Sequence, residues 1–187
     1  MKLRYWVLPL MLLQSAFAEK VESTDLKFSA NVPVKMQMSK ASNSSGKIVN
    51  FEGKDAGAGL SYLIQVDQNN EVAKSLADKP ESLRPTLEKH LNAYSSSVKA
   101  KGEAVKTEWK KGFSKDVVFF NFEATGYSAA GDATFHTGVK FVHNGSIFTI
   151  QVVSPVDKAD EASKVFLEVM KSFVLLDGAG ATAAPKK

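Results

Sequence analysis

The chain has 187 residues, with 24 lysines and arginines, 20 aspartates and glutamates, and no cysteine. The lack of cysteine excludes disulfides, thiolate metal sites, cysteine nucleophiles and a lipid-modified cysteine anchor. Arg84 is the only arginine after Arg4, whereas phosphate groups and base edges are recognised mainly by arginine. The composition therefore argues against a nucleic-acid partner.

Residues 1–18 have the three zones of a secretory signal peptide. Lys2 and Arg4 give a positive start, Tyr5 to Leu13 is almost wholly apolar, and Ala16-Phe17-Ala18 is a small-x-small cleavage site. The alternative is a retained membrane anchor, but this apolar run makes a helix of roughly 14 Å, against roughly 30 Å of hydrocarbon. We expect cleavage after Ala18 and a periplasmic protein, with secretion as the alternative.

Removal of this leader lowers the formal net charge from +4 to +2, because it contains two cations and no acidic residue. No later stretch is long and apolar enough to span a bilayer. Residues 19–176 predict one domain with its own core, and 177–187, DGAGATAAPKK, has no apolar periodicity and predicts a disordered tail.

The first half of the mature chain predicts strands followed by a helix. Leu26 to Ala30 alternates apolar and polar residues, Ser39 to Lys47 is rich in Ser, Asn and Gly and predicts a loop, and two more strands follow at Ile48 to Phe51 and Leu60 to Val66. A stripe at helical spacing then predicts an amphipathic helix. Its members are Leu83, Leu87, Leu91, Tyr94 and Val98.

The second half predicts antiparallel strands and a closing helix. Strands are expected at Ala104 to Trp109 and Asp116 to Ala124. Asn144-Gly145 then suits a type I′ turn, because both residues accept a positive φ. This turn pairs Val142 with Ile147, Phe141 with Phe148, and Val139 with Ile150.

The closing helix is predicted from about Lys158 to Leu175, with Asp157 as its cap. Its apolar stripe consists of Ala162, Val165, Phe166, Val169 and Phe173. The order of elements predicts an α+β fold, an antiparallel sheet with helices packed on both faces.

This order resembles the PsbP/DcrB-type α-β-α sandwich over Leu26 to Leu176. The opening segment is Phe28-Ser29-Ala30-Asn31-Val32-Pro33, and the chain closes with a strand at Ile147 to Val153 and a helix that ends in Ser172-Phe173. Unlike many such proteins, the chain has no Gly-Trp after the proline. The resemblance implies no enzyme activity. It implies an accessory, assembly or chaperone-like protein that binds other proteins.

No motif in the chain carries recognisable chemistry. There is no Gly-x-Ser-x-Gly elbow and no phosphate loop followed by lysine and serine or threonine. His136 and His143 are seven residues apart near one strand, an odd separation that puts their side chains on opposite faces. We therefore expect no metal, no cofactor and no enzyme activity.

One segment is a candidate for recognition: Thr125 to Thr137, TGYSAAGDATFHT, which joins two predicted strands. Tyr127, Phe135 and His136 lie there among small residues, and aromatic side chains on loops are common in binding surfaces. The alternative is that Thr134 to Thr137 belong to the next strand, with Phe135 and Phe141 facing the core.

Taken together, the residues and the resemblance predict an exported, non-catalytic accessory or assembly protein of the bacterial cell envelope that binds another protein. The alternative is a periplasmic carrier of a small hydrophobic ligand held between the sheet and a helix. Its lining would come from six phenylalanines: Phe119, Phe120, Phe122, Phe141, Phe148 and Phe166.

Overall fold

A computed structural model describes residues 19–43, 46–68, 85, 107–114, 117–128 and 130–176. The predicted leader, the predicted tail and nearly all of the predicted central helix lie outside these residues. Pro85, the one residue of that predicted helix within the described ranges, is helical. Within the described ranges, no helix has the length and apolar composition needed to cross a membrane.

The described part of the chain consists mainly of strands. They are β1 (Glu19–Ser23), β2 (Phe28–Val32), β3 (Gln37–Asn43), β4 (Gly46–Asp55), β5 (Leu60–Gln68), β6 (Thr107–Ser114), β7 (Val117–Tyr127), β8 (Ala133–His143), β9 (Ser146–Pro155) and β10 (Val174–Leu175). A short 3-10 turn (Val156–Lys158) follows β9 and leads into helix α1 (Ala159–Ser172).

Seven strands form one antiparallel sheet in the order β3-β4-β5-β9-β8-β7-β6, and β1, β2 and β10 form a smaller antiparallel sheet. Helix α1 buries Ala162, Phe166 and Val169 against one face of the large sheet, here called the core face. The α+β class predicted from the sequence is confirmed. The helix predicted for the opposite face, here called the second face, lies almost wholly outside the described residues.

Alternation along the strands assigns side chains to the core face. Apolar residues two positions apart in β5, Leu60, Tyr62, Ile64 and Val66, are all buried there. The register then places Phe148 and Ile150 of β9 beside them. This face carries the main hydrophobic core.

The β8–β9 hairpin has the register that the Asn144-Gly145 turn predicts. Val142 lies opposite Ile147, Phe141 opposite Phe148, and Val139 opposite Ile150. Asn144 and Gly145 have φ values of 47° and 67°, as a type I′ turn requires. The rings of Phe141 and Phe148 stack with centroids 5.0 Å apart.

Substitution of Gly145 by alanine is expected to lower the free energy of unfolding by about 1 kcal/mol, because a Cβ atom is unfavourable at positive φ. Denaturant unfolding measures the change. Asn144→Gly is the matched control, since glycine accepts the conformation that Asn144 adopts. Equal losses in the two variants would show that the turn is not held by its backbone geometry.

Three local predictions are wrong. The predicted loop Ser39 to Lys47 contains most of β3 and the start of β4; residues 37–42 are exposed on both faces of the sheet, so no apolar alternation marks the strand. The predicted cap Asp157 lies in the 3-10 turn, and α1 begins after Lys158 without a side-chain cap. The helix also ends at Ser172 rather than Leu175, because Phe173 is extended and Val174 and Leu175 pair with β2.

Candidate functional site

The predicted recognition loop is formed instead by the ends of two paired strands. β7 continues to Tyr127 and β8 begins at Ala133, and these two residues lie opposite each other. The tight connection is closed by the N–H of Ser128, which donates to the carbonyl oxygen of Asp132 at 2.8 Å. The alternative from the sequence, that Thr134 to Thr137 belong to the next strand, is what the structure shows.

The three candidate residues do not form one surface. Tyr127 and Phe135 point to the core face, where Phe135 is half-buried and packs against the hydrophobic core. His136 points to the second face and is 8% exposed. A partner that contacted all three side chains would have to reach both faces of the sheet.

His136 is held by two neighbours. The amide nitrogen of Gln151 lies 2.7 Å from Nδ1, and Oγ1 of Thr134 lies 3.0 Å from Nε2. With the amide in this orientation Gln151 donates to Nδ1, so Nε2 carries the proton and donates to Thr134. In this tautomer the imidazole cannot remove the proton of the Thr134 hydroxyl, although the pair resembles a nucleophile and its base.

His143 lies on the opposite face of β8 from His136, as their odd separation predicts. Its Nε2 lies 2.9 Å from the side-chain nitrogen of Asn144. Among the residues that the structure describes, no group of three histidine, aspartate or glutamate side chains is arranged to bind a metal ion.

A polar row crosses the second face at the middle of the sheet. Asn50, Gln65, Thr149 and Lys140 lie side by side on β4, β5, β9 and β8. Burial lowers the pKa of Lys140 below its usual range, and the carboxylate of Asp67 opposes part of that shift. Apolar side chains dominate the core face at the same level, so the two faces differ in chemistry.

A groove of about 580 Å³ lies beside this row, over β3, β4, β5 and β9. Its volume is within the range of sites for small ligands. Gln151, which binds His136, is part of the wall. The lining residues are Lys35, Gln37, Glu52, Gly53, Lys54, Ser61, Tyr62, Leu63, Gln151 and Val153.

The rim of the groove is formed by the edge of the large sheet. β3 pairs with β4 and is the terminal strand of the described sheet. Every residue from 37 to 42 is exposed, including Met38 at 58%. Sequence reasoning missed this strand because polar residues occupy both of its faces.

Tyr62, which lines the groove, should make the stability of the protein depend on pH. Burial first, and then the carboxylates of Asp55 and Glu161, raise its pKa from 10.0 to about 12. The unfolded chain therefore loses this proton at a lower pH than the folded chain, and stability is expected to fall as the pH rises from 10 to 12. Denaturant unfolding across this range should show a smaller fall in Tyr62→Phe. An unchanged slope in that variant would contradict the assignment.

No family model and no curated protein matches the chain. A solved protein of unknown function from Pseudomonas aeruginosa, PA94, is similar over 84% of this chain and 96% of its own, with 10% identity and a TM-score of 0.48. The cyanobacterial PsbP (CyanoP) of Synechocystis sp. PCC 6803 is similar over 87% of this chain and 95% of its own, with 10% identity and a TM-score of 0.51. The resemblance to a PsbP-type fold is confirmed, and at this identity it is a similarity of fold alone.

Proposed function

We propose that this protein is exported to the periplasm and acts, without catalysis, as an accessory or assembly protein of the bacterial cell envelope by binding another protein. The observation that carries the proposal is the edge strand β3, whose residues 37–42 are exposed along both faces. An edge strand presents backbone N–H and C=O groups that an extended segment of a partner can pair with.

The contacts of His136 support a non-catalytic role. Both ring nitrogens are occupied by neighbours, Nδ1 by Gln151 and Nε2 by Thr134. Its exposure of 8% also limits access from solvent. A buried and satisfied imidazole of this kind stabilises the sheet by joining β8 to β9.

Photo-crosslinking in intact cells tests the binding function. A photoreactive phenylalanine derivative replaces Met38 on β3 and, in a matched control, Leu167 on α1; the two native side chains are 58% and 56% exposed. We expect one adduct of defined mass from position 38 and none from position 167. If neither position gives an adduct, or both give the same mixture, the edge strand does not bind a protein.

The N-terminus of the protein recovered from a periplasmic extract tests the export route. Mass spectrometry is expected to find a chain that starts at Glu19, as cleavage after Ala18 requires. A protein that retains residues 1–18 in the cytosolic fraction would contradict this part of the proposal.

A carrier of a small ligand is the second candidate, and the groove of about 580 Å³ supports it. The lining includes three charged side chains and several amide or hydroxyl groups, which suit a polar ligand better than a hydrophobic one. The phenylalanines of the sequence-based alternative lie on two faces, with Phe120 and Phe122 opposite to Phe141. Native mass spectrometry of gently purified protein would detect a bound ligand, and a ligand-free mass would remove this candidate.

A further inference from the structure

The segment 35–54, which contains β3 and most of β4, concentrates positive charge at the edge of the sheet. It has four lysines, Lys35, Lys40, Lys47 and Lys54, and a single acidic residue, Glu52. All five of these side chains are exposed. None of them forms an ion pair with another described residue. We call this segment the cationic hairpin.

The lysines of the cationic hairpin lie on both sides of the sheet. Lys40 is opposite Val49, whose side chain is in the core, so Lys40 and Lys47 point toward the core-face side. Lys54 points to the second face and lines the groove, as does Lys35. A flat anionic surface such as a membrane would meet only one of these sets. A strand added in the plane of the sheet meets both, because its own side chains alternate between the two faces.

We propose that the partner of this protein supplies an extended acidic segment that pairs with β3 as an additional strand. Its backbone continues the ladder over the seven residues of β3. Its aspartate and glutamate side chains alternate between Lys40 and Lys47 on one side and Lys35 and Lys54 on the other. This inference rests on the proposed protein-binding function and names the chemistry of the partner.

Lysines on an edge strand also have a simpler effect, since they discourage pairing between two copies of the same chain. The two roles predict different measurable effects when the lysine charges are removed. Loss of edge protection increases self-association, whereas loss of a binding site weakens the affinity for an acidic peptide.

Binding of synthetic peptides to the mature protein separates these roles. The probe is a seven-residue peptide that carries pairs of adjacent glutamates among valine and threonine, so that its carboxylates point to both faces of the sheet. The control peptide carries glutamine in place of each glutamate. We expect binding of the acidic peptide to weaken as salt increases. The triple variant Lys40→Gln, Lys47→Gln, Lys54→Gln should bind it about tenfold more weakly. The matched control, Lys164→Gln on the exposed side of α1, should bind as the wild type does.

Two neighbouring proline substitutions test whether the peptide pairs with the backbone. Successive N–H groups of a strand point to opposite edges, so one of Met38→Pro and Ser39→Pro interrupts the ladder to β4 and the other removes an outward donor. We expect the variant with the higher melting temperature to lose peptide binding. Full binding in that variant would show that the peptide does not extend the sheet.

Other outcomes would overturn the inference in distinguishable ways. Binding of the wild type to phosphatidylglycerol vesicles, but not to the acidic peptide, would assign the lysines to a lipid surface. Self-association of the triple variant, with no peptide bound by the wild type, would assign them to edge protection. A crosslinked partner at position 38 without an acidic segment would leave the proposed function standing and reject this partner chemistry. Acidic-peptide binding without any crosslink in cells would reject the proposed function, and the inferred partner with it, because the inference rests on that function.

Discussion

Substitution of Gly138 by alanine is expected to lower the free energy of unfolding by about 1–3 kcal/mol, through overpacking. A Cβ atom at this position would lie 2.5 Å from Cζ of Phe122 and 2.7 Å from the carbonyl oxygen of Ile150. Gly138 and Phe122 face each other on β8 and β7, so the phenyl ring covers the glycine. Because the Ile150 oxygen belongs to the backbone, a side-chain rotation alone cannot relieve the clash. Urea unfolding measures the loss as a shift of the midpoint.

Gly57→Ala is the matched control for this substitution. Its Cβ atom would meet only the Asp55 side chain, at 3.4 Å, and we expect a change within about 0.5 kcal/mol. A double-mutant cycle with Phe122→Leu adds a second check, because a shorter side chain removes part of the clash and the two effects should not be additive. Equal effects at Gly57 and Gly138 would contradict the close contact.

The sequence predicted the parts of the fold in which side-chain chemistry and backbone geometry agree. Asn144-Gly145 fixed the register of a hairpin because few other residues accept two successive positive φ values. The alternation through β5 identified its buried face, since every second side chain there is apolar. The helical stripe of α1 located that helix in the same way.

The edge strand β3 could not be predicted in this way. A strand that is solvated on both faces needs no apolar residue, so its composition matches that of a loop. Its strand geometry comes from the ladder with β4, in which Met38 lies opposite Phe51. Such pairing is a property of the assembled sheet and leaves little trace in the local sequence.

The surroundings of His136 were hidden for a related reason. Gln151 is 15 residues away along the chain and reaches the ring only through the β8–β9 register. Small residues such as Gly126 and Ala133 made the ends of β7 and β8 resemble a loop. Their pairing across the sheet requires only backbone groups. Composition therefore predicted a loop here, whereas the alternation of apolar residues correctly indicated a strand.

Phe28→Ala is expected to have the largest effect on stability, a loss of about 3–5 kcal/mol. The side chain is fully buried and contacts aromatic rings of the large sheet. Its ring lies 5.5 Å from that of Phe51 and 6.1 Å from that of Phe148, both edge-on, and stacks on Phe173 at 5.7 Å. Truncation therefore removes three aromatic contacts and leaves a cavity between the two sheets.

The unfolding midpoint in urea measures this loss, with Leu167→Ala as the control, because Leu167 is 56% exposed on α1 and alanine favours a helix. If Phe28→Ala does not fold, Phe28→Leu retains part of the packing and should fall between the two. A loss at Phe28 no larger than that at Leu167 would show that the small sheet is not anchored by this ring. Because Phe51 contacts Phe28 on one side and lies opposite Met38 on β3, hydrogen exchange in Phe28→Leu should also quicken along β4. The stability of the edge that we propose as the binding site would then depend on a residue in the small sheet.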